Sequence, residues 1–109
     1  MRIDRRVQLL RAVPIDDGLQ ARPGDHVPVG RPFYADRRDV SDGERAAAGT
    51  LSAEVVSRFT VRANPFTRAI VPADRLRADG RDWEITGVKE AARRGFLEIT
   101  ATARADISS

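Results

Sequence analysis

The chain has 109 residues, no cysteine, and a formal net charge of +3 from 19 basic and 16 acidic side chains. This length fits a single domain over residues 1–109, and a chain without cysteine forms no disulfide and offers no thiolate nucleophile. No stretch approaches the roughly 18 apolar residues of a membrane span, and the charged N-terminus lacks the apolar core of a signal peptide, so we expect no membrane partner. Only Lys89 among the 19 cations is a lysine; the excess of arginine fits either phosphate contacts or a GC-rich genome.

The first predicted elements are a strand over residues 4–13 and a long loop over residues 14–32. Apolar side chains alternate along the strand as far as Val13, but polar residues interrupt the pattern and favour an edge position. Three prolines and three glycines follow, which predicts a loop. The only histidine, His26, lies there without other metal ligands at suitable spacing, so we predict that it is solvated and that the chain binds no metal.

A second strand over residues 33–40 leads into a short polar helix over residues 41–49. Ser41 precedes Glu44 by three residues, the spacing of a capping box, and a glycine after three alanines is a good helix stop. A helix this short is marginal alone, so we expect it to dock on the barrel, a second copy or another protein through its one large apolar side chain. The residues of this candidate functional segment are Ser41, Asp42, Gly43, Glu44, Arg45, Ala46, Ala47, Ala48, Gly49, Thr50 and Leu51.

Residues 53–63 have the alternation of a half-buried central strand. Apolar side chains fall on one face and charged side chains on the other. Arg58 and Arg62, on the outer face, are candidate contacts to a neighbouring subunit or to DNA. Their other interpretation is cross-strand pairing with Glu84 or Glu98.

The last third of the chain predicts a hairpin and a closing strand. Asp79-Gly80 is a dipeptide of tight type I′ turns, and Gly87 predicts a bulge. Short strands with little helix indicate an all-β fold: a small antiparallel β-barrel or sandwich, with a long first loop and a short helix-bearing excursion before a central strand. Closure into a barrel is favoured because it removes exposed edges. We predict that residues 64–74 are irregular, that residues 75–79 and 81–89 form two paired strands, and that residues 96–104 form the last strand. The ends of the chain, residues 1–3 and 105–109, are predicted to fray.

The sequence carries no catalytic fingerprint. It lacks phosphate-binding, dinucleotide-binding and metalloprotease motifs, and a single histidine without cysteine leaves few nucleophile–base pairs. We therefore expect no enzyme activity and no cofactor. A barrel that binds single-stranded nucleic acid needs several exposed aromatic side chains on one face, whereas we place Tyr34, Phe59, Trp83 and Phe96 in the core.

Several stretches follow one another in a recognisable order. DRRVQLLRA and a glycine-containing loop come first, then Tyr34-Ala35, VSDGERAAAGTLSAEVVSRFTVR, IVPADRLRADGRDWEITGV and FLEITATA. This order over about 100 residues resembles the head–tail joining (head-closure or stopper) proteins of long-tailed phages and gene transfer agents. Arg37 stands where that family tends to be apolar, and Asp39 where proline is common, which makes the packing at the end of the second strand a point to test.

The resemblance implies a structural connector without catalytic residues. Copies are expected to form a six- or twelve-fold ring in the head–tail neck of a virion or phage-like particle, assembled in the bacterial cytoplasm. The implied neighbours are portal or adaptor proteins on the head side, tail-terminator or tail-tube proteins on the tail side, and passing double-stranded DNA. Residues 41–53 are implied to narrow the channel and help retain DNA. The alternatives are a tail-terminator-type ring protein of the same particle and a free nucleic-acid-binding β-barrel.

Overall fold

A computed structural model describes residues 1–16, 18, 21–40 and 54–104, apart from the side chains of residues 21–23 and 104. Neighbouring strands are all antiparallel, and the order β1-β2-β3-β6-β5-β4 closes into a barrel, which confirms the predicted fold class. The helix predicted over 41–49 and the tail 105–109 lie outside the described residues. Within the ranges given, no helix has the length and apolar character needed to cross a membrane. The elements are β1 Arg5–Asp16, β2 Ala21–Asp39, β3 Glu54–Arg62, α1 Pro65–Arg68, β4 Arg75–Ala78, β5 Arg81–Glu90 and β6 Phe96–Arg104.

The barrel interior is filled by alternate side chains of its strands. Trp83 is fully buried, and its ring meets that of Phe59 edge-on, with centroids 5.2 Å apart. The indole Nε1 donates to the Ala78 carbonyl oxygen at 3.1 Å, so the polar atom of the largest core side chain is satisfied. The inward face predicted for β3 is confirmed by the buried residues Ser57, Phe59 and Val61. Their partners in β6, Ala101, Ile99 and Leu97, are buried as well.

The β4–β5 hairpin turns as the sequence predicts. Asp79 and Gly80 both have positive φ angles, 53° and 77°, which is the signature of a type I′ turn. The β5–β6 register shifts between Ile85 and Gly87, where a bulge is predicted. These local signals work because only a few residue types tolerate such backbone geometry without strain.

The loop predicted over residues 14–32 is wrong. β1 runs on to Asp16, β2 starts at Ala21, and residues 11–16 pair with residues 21–27 in a two-stranded extension that we call the ribbon. The edge position predicted for β1 is also wrong, since residues Val7 to Leu10 pair with β2 on one side and β4 on the other. Val13, expected in the alternating core set, is 46% exposed on the ribbon.

The prolines and glycines of the ribbon are compatible with strands for identifiable reasons. In the described residues β1 pairs with β4 only up to Leu10, and β2 pairs with β3 only from Ala35. Each ribbon strand therefore has an unpaired edge, where the missing N–H of a proline costs no ladder hydrogen bond. Gly24 is needed for a close approach, because a Cβ there would lie 2.5 Å from the Val13 carbonyl oxygen.

Gln8 repairs the irregularity between the barrel and the ribbon. The β1–β2 register shifts between Val7 and Leu9, where Gly30 lies in the partner strand. The Gln8 side-chain amide donates to the carbonyl oxygens of Val29 and Gly30, at 3.1 and 3.3 Å. This polar residue, which argued for an edge position in the sequence, thus supplies donors where the backbone ladder is interrupted.

A single helical turn, α1, closes one end of the barrel within the stretch predicted to be irregular. The Asn64 side chain accepts from the Thr67 backbone N–H at 2.8 Å, and the Thr67 hydroxyl receives the Asn64 N–H at 3.0 Å. This reciprocal cap, with Pro65 next in the chain, starts the turn. Phe66 packs against the core cluster, edge-on to Phe33 with centroids 6.0 Å apart.

Candidate functional site at the two ends of the barrel

Strand directions place the ribbon and the attachment points of residues 41–53 at opposite ends of the barrel. Residues 41–53 connect the end of β2 to the start of β3, at the end that also carries the β4–β5 turn; we call this the segment end. The ribbon, α1 and the turn over residues 91–95 lie at the other end, the ribbon end. β2 belongs to both ends, since it runs from the ribbon to the base of the segment.

The candidate segment itself, Ser41 to Leu51, lies outside the described residues, but both of its anchors are defined. Asp39 pairs with Ser57 in the β2–β3 ladder. The Val40 N–H donates to the Val56 carbonyl oxygen at 2.8 Å. Neighbouring antiparallel strands lie about 5 Å apart, so the segment leaves and rejoins the barrel at almost the same place.

Arg37 and Asp39, the two departures from the family pattern, bind each other beside this base. The Arg37 Nε lies 3.0 Å from the Asp39 carboxylate, and its Nη1 lies 2.7 Å from that of Asp79 in the β4–β5 turn. Its guanidinium carbon also lies 4.7 Å from the centroid of the Trp83 ring, within reach of a cation–π contact. Arg37 therefore covers the core as an apolar residue would, and also ties β2 to the β4–β5 turn.

The charge of Asp79 is held in place by two arginines. Burial raises the pKa of the Asp79 carboxyl group, but the hydrogen bond from Arg37 and the charges of Arg5 and Arg37 outweigh it and leave the pKa below its usual value. Arg5 Nη1 lies 3.3 Å from the same carboxylate. At neutral pH, β1, β2 and the β4–β5 turn are thus linked at the segment end by charge-assisted hydrogen bonds.

The two arginines predicted on the outer face of β3 occupy that face. Arg58 Nε lies 3.8 Å from a Glu98 carboxylate oxygen, the cross-strand contact given by the alternative interpretation. The Arg62 guanidinium carbon lies 5.5 Å from the Phe96 ring centroid, and Arg93 approaches the same ring at 5.0 Å. A role of Arg58 and Arg62 in subunit or DNA contact stays a prediction.

Three of the four aromatic side chains expected in the core are buried, and one is not. Phe96 is buried, but it lies outside the core cluster of the barrel, under the two arginines that approach its ring. Tyr34 is 54% exposed. Adjacent residues of a strand point to opposite faces, so Phe33 takes the inner position and Tyr34 the outer one.

A buried carboxylate, missed by sequence reasoning, binds the base of the ribbon to the barrel. Asp74 is 2% exposed and accepts from Nε and Nη2 of Arg11, each at 3.0 Å. It also accepts from the Val71 N–H at 3.1 Å. The hydrogen bond and charge of Asp74 raise the pKa of Arg11. The sequence offers no pairing signal, since 63 positions separate Arg11 and Asp74.

His26 joins the same tether, so its predicted place in a solvated loop is wrong. It lies in β2, half-buried, with Nε2 3.0 Å from the Ala73 carbonyl oxygen, which requires the tautomer that carries hydrogen on Nε2. Among the residues that the structure describes, no three histidine, aspartate or glutamate side chains converge as metal ligands.

Comparison with known proteins gives one family and two similar structures. The sequence profile of the family described as phage head completion protein matches residues 1–104. A chain from the virion of a native gene transfer agent particle is 29% identical with a TM-score of 0.69, over 95% of this chain and 96% of that one. Protein SF1141 from Shigella flexneri 2a is 22% identical with a TM-score of 0.61, over 99% and 96%, a likeness of fold alone. No curated protein matches the chain.

Proposed function

The chain belongs to the phage head completion protein family, and on that premise we propose that it is a ring subunit of the head–tail interface that joins the DNA-filled head to the tail and helps to close the DNA channel. The family match over residues 1–104 carries this proposal, because it spans nearly the whole chain. The chain is accordingly a structural component of a phage or gene transfer agent particle and not an enzyme.

The ring and its neighbours are the finer part of the proposal. We place six or twelve copies between portal or adaptor proteins on the head side and tail-terminator or tail-tube proteins on the tail side. The ribbon and the attachment points of residues 41–53 lie at opposite ends of one barrel, and this arrangement supports the placement, because a connector has to present different surfaces to its two neighbours. The family match and this two-ended arrangement favour the connector over a free nucleic-acid-binding barrel.

Residues 41–53 are proposed to narrow the channel. The support is their base, where a single backbone ladder brings the two ends together and Arg37 links β2 to the β4–β5 turn. Because both ends of the segment are anchored in the paired strands β2 and β3, the segment can press on DNA in the channel without separating those strands. Its small residues, three alanines and two glycines between positions 43 and 49, suit a crowded axis where copies meet.

Replacing the segment tests the proposal. Residues 42–50 are exchanged for a two-residue Asn-Gly turn, which the adjacent ends of β2 and β3 permit. The isolated variant should keep wild-type circular dichroism and Trp83 fluorescence, while particles carrying it lose packaged DNA. In the control, the same residues are exchanged for glycine and serine at unchanged length. This control shows whether the side chains of the segment or only its length are needed to retain DNA. Particles of the Asn-Gly variant that retain DNA and join tails normally would show that the segment does not close the channel.

A gel shift with double-stranded DNA separates the connector from the free DNA-binding barrel. A monomer that functions by binding DNA shows tight binding that falls steeply with salt, through its contacts to phosphates. The connector needs no such affinity as a monomer, because the ring encloses the DNA. Tight, salt-dependent binding by the monomer, abolished when Arg58 and Arg62 are replaced together by glutamine, would favour the second function.

A further inference from the structure

A groove on the outer face of the barrel is lined by arginines from three different parts of the chain. It lies between β2, β3, β6 and the turn over residues 91–95, and its volume is about 500 Å³. Arg38 comes from β2, Arg58 from β3 and Arg93 from the turn. Arg38 and Arg58 form the second-to-last pair of the β2–β3 ladder before residues 41–53 leave the barrel. The groove therefore borders the base of that segment.

Two carboxylates also line the groove, but they are less exposed than the arginines. The Asp36 side chain is 11% exposed and accepts from Arg38 Nε and from a backbone N–H, each at 3.1 Å. The Glu98 side chain is 22% exposed and stands between Arg58 and Lys89, at 3.8 and 3.5 Å. The side chains of Arg38 and Arg58 are 71% and 44% exposed. The groove thus presents mainly positive charge to the solvent.

Arg93 adds a third cation to the groove. Its guanidinium carbon lies 5.0 Å from the centroid of the Phe96 ring, and within the described ranges it makes no ion pair with a carboxylate. The ring contact restricts the planar guanidinium group, so less side-chain freedom is lost when that group binds a ligand. Three guanidinium groups therefore surround one groove that contains two carboxylates.

The register of charges distinguishes this face from the outer face of β4 and β5. There, two arginines each lie opposite a carboxylate and pair with it: Arg75 with Glu84, and Arg77 with Asp82. Across β2 and β3, by contrast, Arg38 lies directly opposite Arg58. Like charges in this position destabilise a sheet. An anion held between the two guanidinium groups would replace their repulsion by attraction.

We propose that this groove, which we call the arginine groove, holds a backbone phosphate of the double-stranded DNA in the channel. Guanidinium groups bind phosphate oxygens through paired N–H donors and suit phosphate better than an ammonium group does. The groove is open to solvent, so one phosphate binds weakly, but the copies of a ring bind several phosphates of one duplex at once. The inference rests on the proposed ring and assigns to it the outer face of β2 and β3 as the face that meets DNA.

Side-chain NMR of the isolated chain tests the chemistry of the arginine groove. Inorganic phosphate replaces chloride at constant ionic strength, and the Nε–Hε signals of the arginines are followed. We expect the signals of Arg38, Arg58 and Arg93 to shift together along one binding curve, while those of Arg75 and Arg77 stay in place. Arg38→Gln combined with Arg58→Gln should abolish the shift of Arg93, and the matched control, Arg75→Gln combined with Arg77→Gln, should leave it unchanged. Equal shifts at all of these arginines would overturn the groove, because phosphate would then bind any exposed guanidinium group.

A photocrosslink in purified particles tests whether the phosphate belongs to DNA. The chain has no cysteine, so Ala92→Cys, at an exposed position that lines the groove, allows a single azidophenacyl group to be attached beside the arginines. On irradiation we expect the chain, detected with an antibody, to become attached to DNA and to be released by nuclease. The matched control is Thr86→Cys, at an exposed position on β5, which should give no attachment.

The results distinguish this inference from the proposed function. Particles that hold several copies of the chain but give no attachment from Ala92→Cys overturn the arginine groove and leave the ring in place. Attachment to a neighbouring protein instead of DNA also overturns it, because the groove then binds an acidic protein surface. Particles that lack the chain overturn the proposed function and the inference together. Every variant should keep wild-type circular dichroism, since none of the substituted side chains is buried.

Discussion

Asp74→Ala should destabilise the barrel far more than removal of a surface carboxylate. Asp74 is 2% exposed and accepts three hydrogen bonds, two from Arg11 and one from the Val71 N–H. Hydrogen bonds to charged groups contribute about 1.5–3 kcal/mol each. Arg11 is 42% exposed and regains water when its partner is removed, so we expect a net loss of about 2–3 kcal/mol. That corresponds to a fall of roughly 1–2 M in the urea midpoint.

The matched control is Asp82→Ala. Asp82 accepts from Nε and Nη2 of Arg77 at 2.8 and 3.4 Å, a similar two-pronged geometry, but the two side chains are about half exposed. Exposed ion pairs contribute little, so its urea midpoint should stay within error of wild type. Trp83 fluorescence follows both transitions. Equal midpoints for the Asp74 and Asp82 variants would refute the assignment of Asp74 as the buried anchor of the ribbon. Hydrogen exchange adds a local readout, since Asp74→Ala should lower protection in the ribbon first.

Two further predictions concern the segment end and the backbone. The folded-state pKa of Asp79 is lowered, so its contribution to stability is present above the unfolded value of about 3.8 and is lost as the pH falls through the folded value. Asp79→Asn keeps a residue that tolerates positive φ but loses its charge pair with Arg37; it should lower the urea midpoint slightly at pH 7, and the difference should shrink at pH 3. A difference that grows on acidification would contradict the direction of the pKa shift. Gly80→Ala should cost about 1 kcal/mol, because it meets only positive-φ strain in open space. Gly30→Ala should cost about 1–3 kcal/mol more in thermal unfolding, since its Cβ would also lie 2.5 Å from the Phe66 ring; equal costs would show that the ring moves aside freely.

The parts of the fold that follow from short-range signals could be predicted. β3 and β6 alternate without interruption, and Asp79-Gly80 allows few conformations other than a tight turn, so their bounds were within two residues of those observed. The ribbon could not be predicted in the same way. Proline and glycine usually mark loops, and the unpaired edges that make them acceptable here depend on which strands are neighbours, which is long-range information.

The candidate site likewise has parts that could be predicted from short-range sequence signals and parts that could not. The capping pattern and small residues drew attention to residues 41–53, and the structure places their anchors together at one end of the barrel. Asp74 and Tyr34 were missed or misplaced for different reasons. The partner of Asp74 is 63 positions away, and Phe33-Tyr34 are two adjacent aromatic residues of which a strand can bury only one against a given face.

Because the anchors of residues 41–53 are adjacent, the length of that segment has little effect on the stability of the barrel. Each doubling of the length of a loop lowers the free energy of unfolding by only about 0.6 kcal/mol, the extra entropy cost of closing the longer loop. An insertion between Val40 and Glu54 therefore leaves every strand register unchanged, and the cost is small compared with that of one buried side chain. A peptide tag or fluorophore-binding sequence placed there would label an intact particle and leave the fold of the barrel unchanged.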